Sequence, residues 1–151
     1  MKKIILPVLI VAILTVFASC GSVKGFSDVM GKEWKLVEVR TGDKDTAFNR
    51  STLSKEGASD IFTMKIEAEL LSGVGASNRF TAPYTLGEGQ SIEVQPMRAT
   101  LMAPLRQPEK LREDQFFTYL QNTTEWQIAD KTLEFHSKTN EGAPIVLVFS
   151  R

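Results

Sequence analysis

One glycine-rich stretch has the residue types of a phosphate-binding loop. Residues 73–78 read GVGASN, a pattern that binds phosphate when the N-terminus of a helix follows it. The residues that come next alternate between apolar and polar, as in a strand, so no helix supplies the required amide groups. We therefore interpret this stretch as a turn in which glycine provides a positive φ.

The titratable side chains give no complete catalytic set. His136 is the only histidine and shares a predicted exposed strand face with Glu134, whereas a zinc site needs three or four ligands. Glu67 and Glu69 lie two apart in a predicted strand, where a carboxylate pair could act on a glycosidic bond. We favour a solvated face shared with Lys65. Without a histidine for a triad, we predict no enzyme, no metal site and no cofactor.

The position of Cys20, the only cysteine, indicates lipid attachment. Lys2 and Lys3 precede an uncharged apolar run, residues 4–18. This run is shorter than the about 20 residues that span a bilayer, and it suits a secretory signal. The stretch VFASC resembles the lipobox of bacterial lipoproteins, which implies a lipid on the Cys20 sulfur, cleavage before it and acylation of the new amine. The alternatives are an uncleaved anchor, or an ordinary signal with an incidental cysteine.

This interpretation divides the chain and predicts its location. Phe26, Val29 and Met30 lie within residues 20–31, a predicted tether, and could dock on the folded domain that follows it. The predicted location is the cell envelope, with the membrane as a partner through the lipid, and Gly21 favours the outer membrane of a Gram-negative bacterium by resemblance to enterobacterial lipoproteins. The predicted parts are a lipoprotein signal peptide (1–19), a lipid-anchored tether (20–31) and a folded domain (32–151).

Residues 98–112 combine basic and apolar side chains and are the best candidate for an interaction surface. If this segment is exposed, it can bind an anionic partner or lipid headgroups. The alternative, which we favour, is that its apolar side chains plug the end of the sheet while the basic ones are solvated. With 18 basic and 18 acidic residues, the chain gives no electrostatic case for nucleic-acid binding. The residues of this candidate surface are Arg98, Leu101, Met102, Arg106, Lys110 and Arg112.

The hydrophobic pattern predicts a small domain built mainly of strands. Apolar residues that alternate with polar ones predict a three-stranded antiparallel meander. Leu111, Phe116 and Leu120 approximate one helical stripe, which predicts a helix over about 108–121. The meander segments are 62–71, 78–86 and 91–97, and a second hairpin (125–137) and a nearly all-apolar, central strand (144–150) follow the helix.

Three local irregularities qualify this pattern. Residues 34–39 form strands readily but alternate imperfectly, which a bulge or burial on both faces would explain. Residues 41–60 are polar and predict a long loop, with or without one short helix. Pro83 cannot donate to a strand ladder, so its strand is predicted to lie at an edge or to pair irregularly there.

The order and spacing of several short motifs carry a family resemblance. They are Trp34 and Leu36; Gly75, Asn78, Phe80 and Tyr84; ATLMAP (99–104); EDQFFTYL (113–120); Trp126, Ile128 and Leu133; and IVLVF (145–149). Over about residues 32–150 the chain resembles the META domain, the family of heat-shock lipoproteins such as HslJ. Ser77 and Pro104 stand where many members have cysteines, so no disulfide is expected. The resemblance implies an α+β, mostly β fold, in which a curved antiparallel sheet, shaped like a partial barrel, packs with one helix.

The resemblance also sets the expected function. It implies an envelope location, links to stress tolerance and secretion, and no established catalytic residue. We therefore predict a non-catalytic binding or structural module that acts on envelope proteins. The alternative is a carrier of a small apolar ligand inside the curved sheet, which needs an apolar cavity on the order of several hundred Å³. A solid core containing Phe80, Tyr84, Phe116 and Trp126 would count against the carrier.

Overall fold

The computed structural model describes residues 25–42, 44–103, 108, 110–129 and 131–151. Cys20, Arg106 and the predicted signal peptide lie outside the described residues. The strands are β1 (Glu33–Thr41), β2 (Asp45–Ala47), β3 (Thr63–Ile66), β4 (Leu70–Val74), β5 (Arg79–Leu86), β6 (Ile92–Val94), β7 (Arg98–Ala99), β8 (Glu125–Ala129), β9 (Thr132–Lys138) and β10 (Pro144–Ser150), and the helices are the 3₁₀ helix η1 (Phe26–Val29), α1 (Arg50–Lys55) and α2 (Glu113–Gln121).

The strands form one antiparallel, nearly closed, barrel-like sheet. Their order is β6-β5-β4-β3-β1-β10-β9-β8, with β2 paired to β1 and β7 to β5. The two ends of this order meet, because the Ile92 N–H donates to the Thr124 carbonyl (3.0 Å) and the Trp126 N–H donates to the Gln90 carbonyl (2.9 Å). Closure satisfies backbone groups that an open sheet edge would expose. The predicted fold class is therefore confirmed.

Two of the sequence irregularities have a structural cause, and the predicted central strand is confirmed. The pairing of β1 with β10 shifts between Leu36 and Glu38, and this bulge explains the imperfect alternation of β1. Strand β10 lies between β1 and β9, and it is the central strand that its apolar sequence predicts. Pro83 stays in register with Leu70 of β4. On the other side of β5 it lies between the segment that pairs with β7 and the segment that pairs with β6, where no N–H donor is needed.

The first meander segment is a hairpin rather than one strand. The Glu67 N–H donates to the Leu70 carbonyl (2.9 Å) and closes a turn between β3 and β4. The prediction was wrong because the apolar alternation runs on through the turn, so periodicity does not mark it. Glu67 and Glu69 are exposed at this turn and do not share a strand face. Lys65 forms an ion pair with Glu67 at 3.0 Å.

Helix α2 begins at Glu113 and not near residue 108. Arg112 is extended (φ −83°, ψ 153°) and caps the helix, and its N–H donates to the Gln115 side chain (3.0 Å). Leu111 is buried without belonging to the helix, which is why the apolar stripe suggested an earlier start. Within the predicted polar segment 41–60, the structure contains both the short strand β2 and the short helix α1.

Aromatic rings fill the interior from both ends of the sheet. At one end, Phe26 of η1 packs against Trp126 (ring centroids 4.9 Å apart) and Tyr84 (5.4 Å). At the other end, Phe116 of α2 packs against Phe62 (5.0 Å) and Phe80 (6.1 Å). These rings are buried, so aromatic side chains occupy the space that an internal ligand would need.

The residues before β1 are part of the folded body. Phe26 and Val29 are buried, and Met30 packs against the core. The Trp34 indole N–H donates to the Val29 carbonyl (2.9 Å), which ties η1 to the first strand. The docking of these residues that the sequence suggested is therefore present.

Candidate interaction surface

The apolar side chains of the candidate surface do not plug the sheet. Leu101 is 100% exposed and Met102 is 55% exposed. The interpretation that we favoured from the sequence, burial of these apolar residues, is therefore wrong. Arg98, in the short strand β7, is exposed as well. Leu101 and Met102 are adjacent exposed apolar side chains that folding does not bury, so they remain candidates for contact with a partner.

The remaining basic residues are arranged differently. The Arg112 guanidinium forms a two-bond ion pair with the Asp114 carboxylate, at 2.6 and 3.0 Å, so a carboxylate already offsets its charge. Lys110 lines a depression together with Phe48 and Leu53, next to α1. Arg98, Leu101 and Met102 thus share one short exposed segment, whereas Lys110 belongs to the depression next to α1.

Side-chain hydrogen bonds fix the backbone of residues 100–102, which we call the exposed loop. Asn78 Oδ1 accepts from the Met102 N–H (2.7 Å) and from the Thr100 hydroxyl (2.8 Å), and Asn78 Nδ2 donates to the Met102 carbonyl (2.9 Å). The Thr100 N–H donates to the Arg79 carbonyl (3.0 Å). The loop backbone is therefore held at several points while the Leu101 side chain projects into solvent.

Glu113, the first residue of α2, holds Asn78 in place through hydrogen bonds. Glu113 is only 7% exposed, and its Oε1 accepts from the Ser77 N–H (2.7 Å) and the Asn78 N–H (2.8 Å), while Oε2 accepts from Asn78 Nδ2 (2.6 Å). We call Glu113 and Asn78 the anchor pair. It joins α2, the β4–β5 connection and the exposed loop in one network.

The surroundings of Glu113 favour the ionised form of its carboxyl. Burial by itself raises the pKa of the Glu113 carboxyl, but hydrogen bonds from the Ser77 N–H, the Asn78 side chain and N–H, and the Ala76 N–H outweigh burial and leave the pKa below its usual value. A carboxylate in the first turn is also favoured by the helix dipole. From the sequence, Glu113 lies only within the predicted helix, and nothing in the sequence marks a partner 35 residues away.

The glycines of residues 73–78 serve close packing rather than a positive φ. A Cβ on Gly73 would lie 2.0 Å from the Thr63 carbonyl oxygen, and a Cβ on Gly75 would lie 2.6 Å from Glu113 Oε1. The predicted positive-φ turn is therefore wrong. Among the described glycines, positive φ occurs at Gly31, Gly57, Gly89 and Gly142.

A strained corner next to α2 was also missed from the sequence. Phe62 is fully buried with φ 49°, a conformation that is unfavourable for a bulky side chain. The Arg50 guanidinium donates to the carbonyls of Ile61 (2.7 Å) and Phe62 (2.9 Å) and holds this corner. Burial lowers the pKa of Arg50 to about 10, so it remains a cation at neutral pH.

The other sequence candidates form a surface network. His136 Nε2 lies 3.7 Å from the Glu134 carboxylate, which also accepts from Arg40 at 2.8 Å. The hydrogen bond to Glu134 raises the pKa of Arg40 most, and the hydrogen bond to Glu38 raises it further. Within the described ranges, no three ligating His, Cys, Asp or Glu side chains come together as a metal site. No helix in those ranges is long and apolar enough to cross a bilayer.

Comparisons with known proteins agree with this architecture. The sequence model of the META domain matches residues 27–149. The fold is similar to the NMR structure of a protein from Burkholderia xenovorans (TM-score 0.58, 17% identity, 83% of this chain and 84% of that one). It is also similar to the crystal structure of a DUF4847 family protein from Bacteroides vulgatus (TM-score 0.51, 12% identity, 82% and 94%). No curated protein matches the chain.

Proposed function

This chain belongs to the META domain family, and we propose that it is a lipid-anchored envelope protein that binds another envelope protein through the exposed loop. The observation that carries this proposal is Leu101, which is fully exposed on a backbone that Asn78 fixes. A pre-ordered apolar side chain loses little conformational entropy when a partner covers it. The domain acts without catalysis, as a binding or structural module.

The filled interior favours binding at the surface over carriage of a small ligand. Phe26, Tyr84 and Trp126 occupy one end of the sheet, and Phe80 and Phe116 the other. The depression next to α2, lined by Met97, Phe117 and their neighbours, opens to solvent. An internal apolar ligand would have to displace these rings.

Crosslinking in intact cells tests the binding surface. A photoreactive residue at position 101 should give a discrete crosslinked product, and Met102→Ser in the same chain should reduce it. The control probe replaces Glu88, which is exposed in the turn after β5 and should not give that product. The absence of a discrete product at position 101 would count against the proposal.

Mass spectrometry of the mature N-terminus tests the anchor. We expect cleavage before Cys20, with diacylglycerol on its sulfur and an acyl chain on its amine, because two or more chains hold a protein firmly at a membrane. Cys20→Ser is the control and should remain unprocessed. An unmodified Cys20 in the native protein would contradict the anchoring.

A role in stress tolerance is the broadest part of the proposal. It rests on the resemblance to heat-shock lipoproteins, and the producing bacterium provides the test. Cells that lack the protein should grow poorly under envelope stress, and the native chain should restore growth while Cys20→Ser should not. Equal growth with and without the protein under such stresses would argue against this role.

A further inference from the structure

We infer that the exposed loop faces away from the membrane that anchors the protein and binds an envelope protein. Leu101 and Met102 insert into an apolar pocket on that partner, and a carboxylate beside the pocket pairs with Arg98. This inference rests on the proposed function and adds the orientation and the chemistry of the partner. It follows from where the chain enters the domain, where the loop lies and which charges near it are unpaired.

The chain enters the domain at the end opposite to the exposed loop. Phe26 packs against Tyr84, and the Tyr84 hydroxyl donates to the Glu67 carbonyl (2.7 Å) at the β3–β4 turn. The loop instead bonds to Asn78 and Arg79, at the start of β5. From Arg79 to Tyr84 a strand advances about 17 Å, at roughly 3.3 Å per residue.

Only a short part of the predicted tether lies between the lipid site and the η1 end of the domain. Residues 20–24 connect the predicted lipid site to the described chain. A segment of that length spans at most about 18 Å even when fully extended. The η1 end is therefore the attached end of the domain, and the exposed loop lies about 17 Å further along β5 from that attachment.

The charge pattern favours a protein partner over lipid headgroups. Segments that bind anionic lipid carry about four to eight clustered basic residues. Here Asp114 already pairs with Arg112, and Lys110 lines the depression next to α1. Arg98 has no ion-pair partner within the described ranges. Arg79, exposed and joined to the exposed loop by a backbone hydrogen bond, likewise forms no ion pair in those ranges. Two cations beside two exposed apolar side chains are fewer than a lipid-binding segment carries, and they match an apolar pocket with a small acidic rim.

Fluorescence quenching in vesicles tests the orientation. The lipidated protein carries Leu101→Cys, or Glu88→Cys as the matched position at the other end, with a thiol-reactive fluorophore; lipid blocks the Cys20 sulfur. In vesicles of phosphatidylethanolamine and phosphatidylglycerol with a lipid-attached quencher, we expect stronger quenching at position 88 than at 101. Equal or stronger quenching at 101 would place the loop on the membrane and overturn the inference.

Charge reversal in cells tests the chemistry of the partner. With a photoreactive residue at position 101, Arg98→Glu should cause loss of most of the protein adduct, and Lys131→Glu, an exposed control, should leave it intact. Crosslinks from 101 to lipid, or an adduct that Arg98→Glu does not change, would overturn the inferred partner. An adduct that persists after Arg98→Glu would leave the proposed function standing, whereas no adduct at all would reject both.

Discussion

The two ends of the barrel-like sheet are closed by opposite kinds of chemistry. At the η1 end, Phe26 inserts between Tyr84 and Trp126, so the closure is largely apolar. At the α2 end, the aromatic packing of Phe116 is combined with the anchor pair, Glu113 and Asn78, whose hydrogen bonds reach the exposed loop. Apolar burial is non-directional and gives stability, whereas charge-assisted hydrogen bonds are directional and fix position. At the α2 end a buried carboxylate therefore fixes the orientation of the exposed loop, whereas the η1 end depends mainly on apolar packing, supplemented by neutral hydrogen bonds from Trp34 and Tyr84.

The largest expected effect is at the apolar end. Phe26→Ala should lower the free energy of unfolding by about 3 kcal/mol, because it removes a buried ring and leaves a cavity. Urea denaturation of the folded domain measures this change. Leu86→Ala, at the same end but 49% exposed, is the control and should stay within about 0.5 kcal/mol. If both changes had equally small effects, the apolar end would not contribute the stability that we assign to it.

At the polar end, Gly75→Ala should lower the free energy of unfolding by about 2 kcal/mol, through overpacking. The added Cβ would lie 2.6 Å from Glu113 Oε1 and 2.8 Å from Phe117 Cζ, and it would push the anchor pair apart. Gly42→Ala is the matched control, since nothing lies within 4 Å of the added atom. A Gly75 variant as stable as the Gly42 variant would show that the close approach is not important.

Glu113→Gln should cost about 2 kcal/mol, because a neutral amide replaces a buried, hydrogen-bonded carboxylate. The more specific expectation is faster hydrogen exchange at the Met102 amide, which bonds to Asn78, while amides at the η1 end stay unchanged. Asp114→Asn, on the same helical turn, removes an exposed ion pair and should change stability by less than about 0.5 kcal/mol. If amides at both ends of the sheet lost protection from hydrogen exchange equally, Glu113 would have no local role.

Acid should loosen the polar end selectively. The folded pKa of the Glu113 carboxyl is below its ordinary value of 4.5, so its contribution to the free energy of unfolding is fully present above the unfolded pKa. That contribution is lost as pH falls through the folded pKa. Stability measured against pH should therefore fall more steeply in the native protein than in Glu113→Gln across the region below pH 4.5. Identical slopes would remove the anchor pair from the pH response.

The smallest expected effect on stability is at the exposed loop. Leu101→Ser should change the free energy of unfolding by less than about 0.5 kcal/mol, because the side chain is fully exposed. Leu120→Ala, in the buried face of α2, should instead cost about 3 kcal/mol. A clear loss of stability in Leu101→Ser would mean that this leucine packs on the fold and is not kept for a partner.

Local pattern was enough to predict much of the sheet. Strand β10 is apolar at nearly every position because both of its neighbours and the core cover it, and period-two alternation marked β5 and β6. The same pattern failed at the β3–β4 turn, where the alternation continues across residues 67–69. It also failed at Leu111, which is buried outside the helix, because burial at helical spacing does not require a helix.

By itself, the sequence determined the mostly β character, the central last strand and the docking of Phe26 and Val29, because local periodicity and side-chain hydrophobicity decide which residues leave water. Only the tertiary structure decided that Glu113 meets Asn78, that Gly73 and Gly75 are needed for close approach, and that Leu101 and Met102 project into solvent. These outcomes depend on residues far apart in the chain, whose contacts exist only after the sheet has closed.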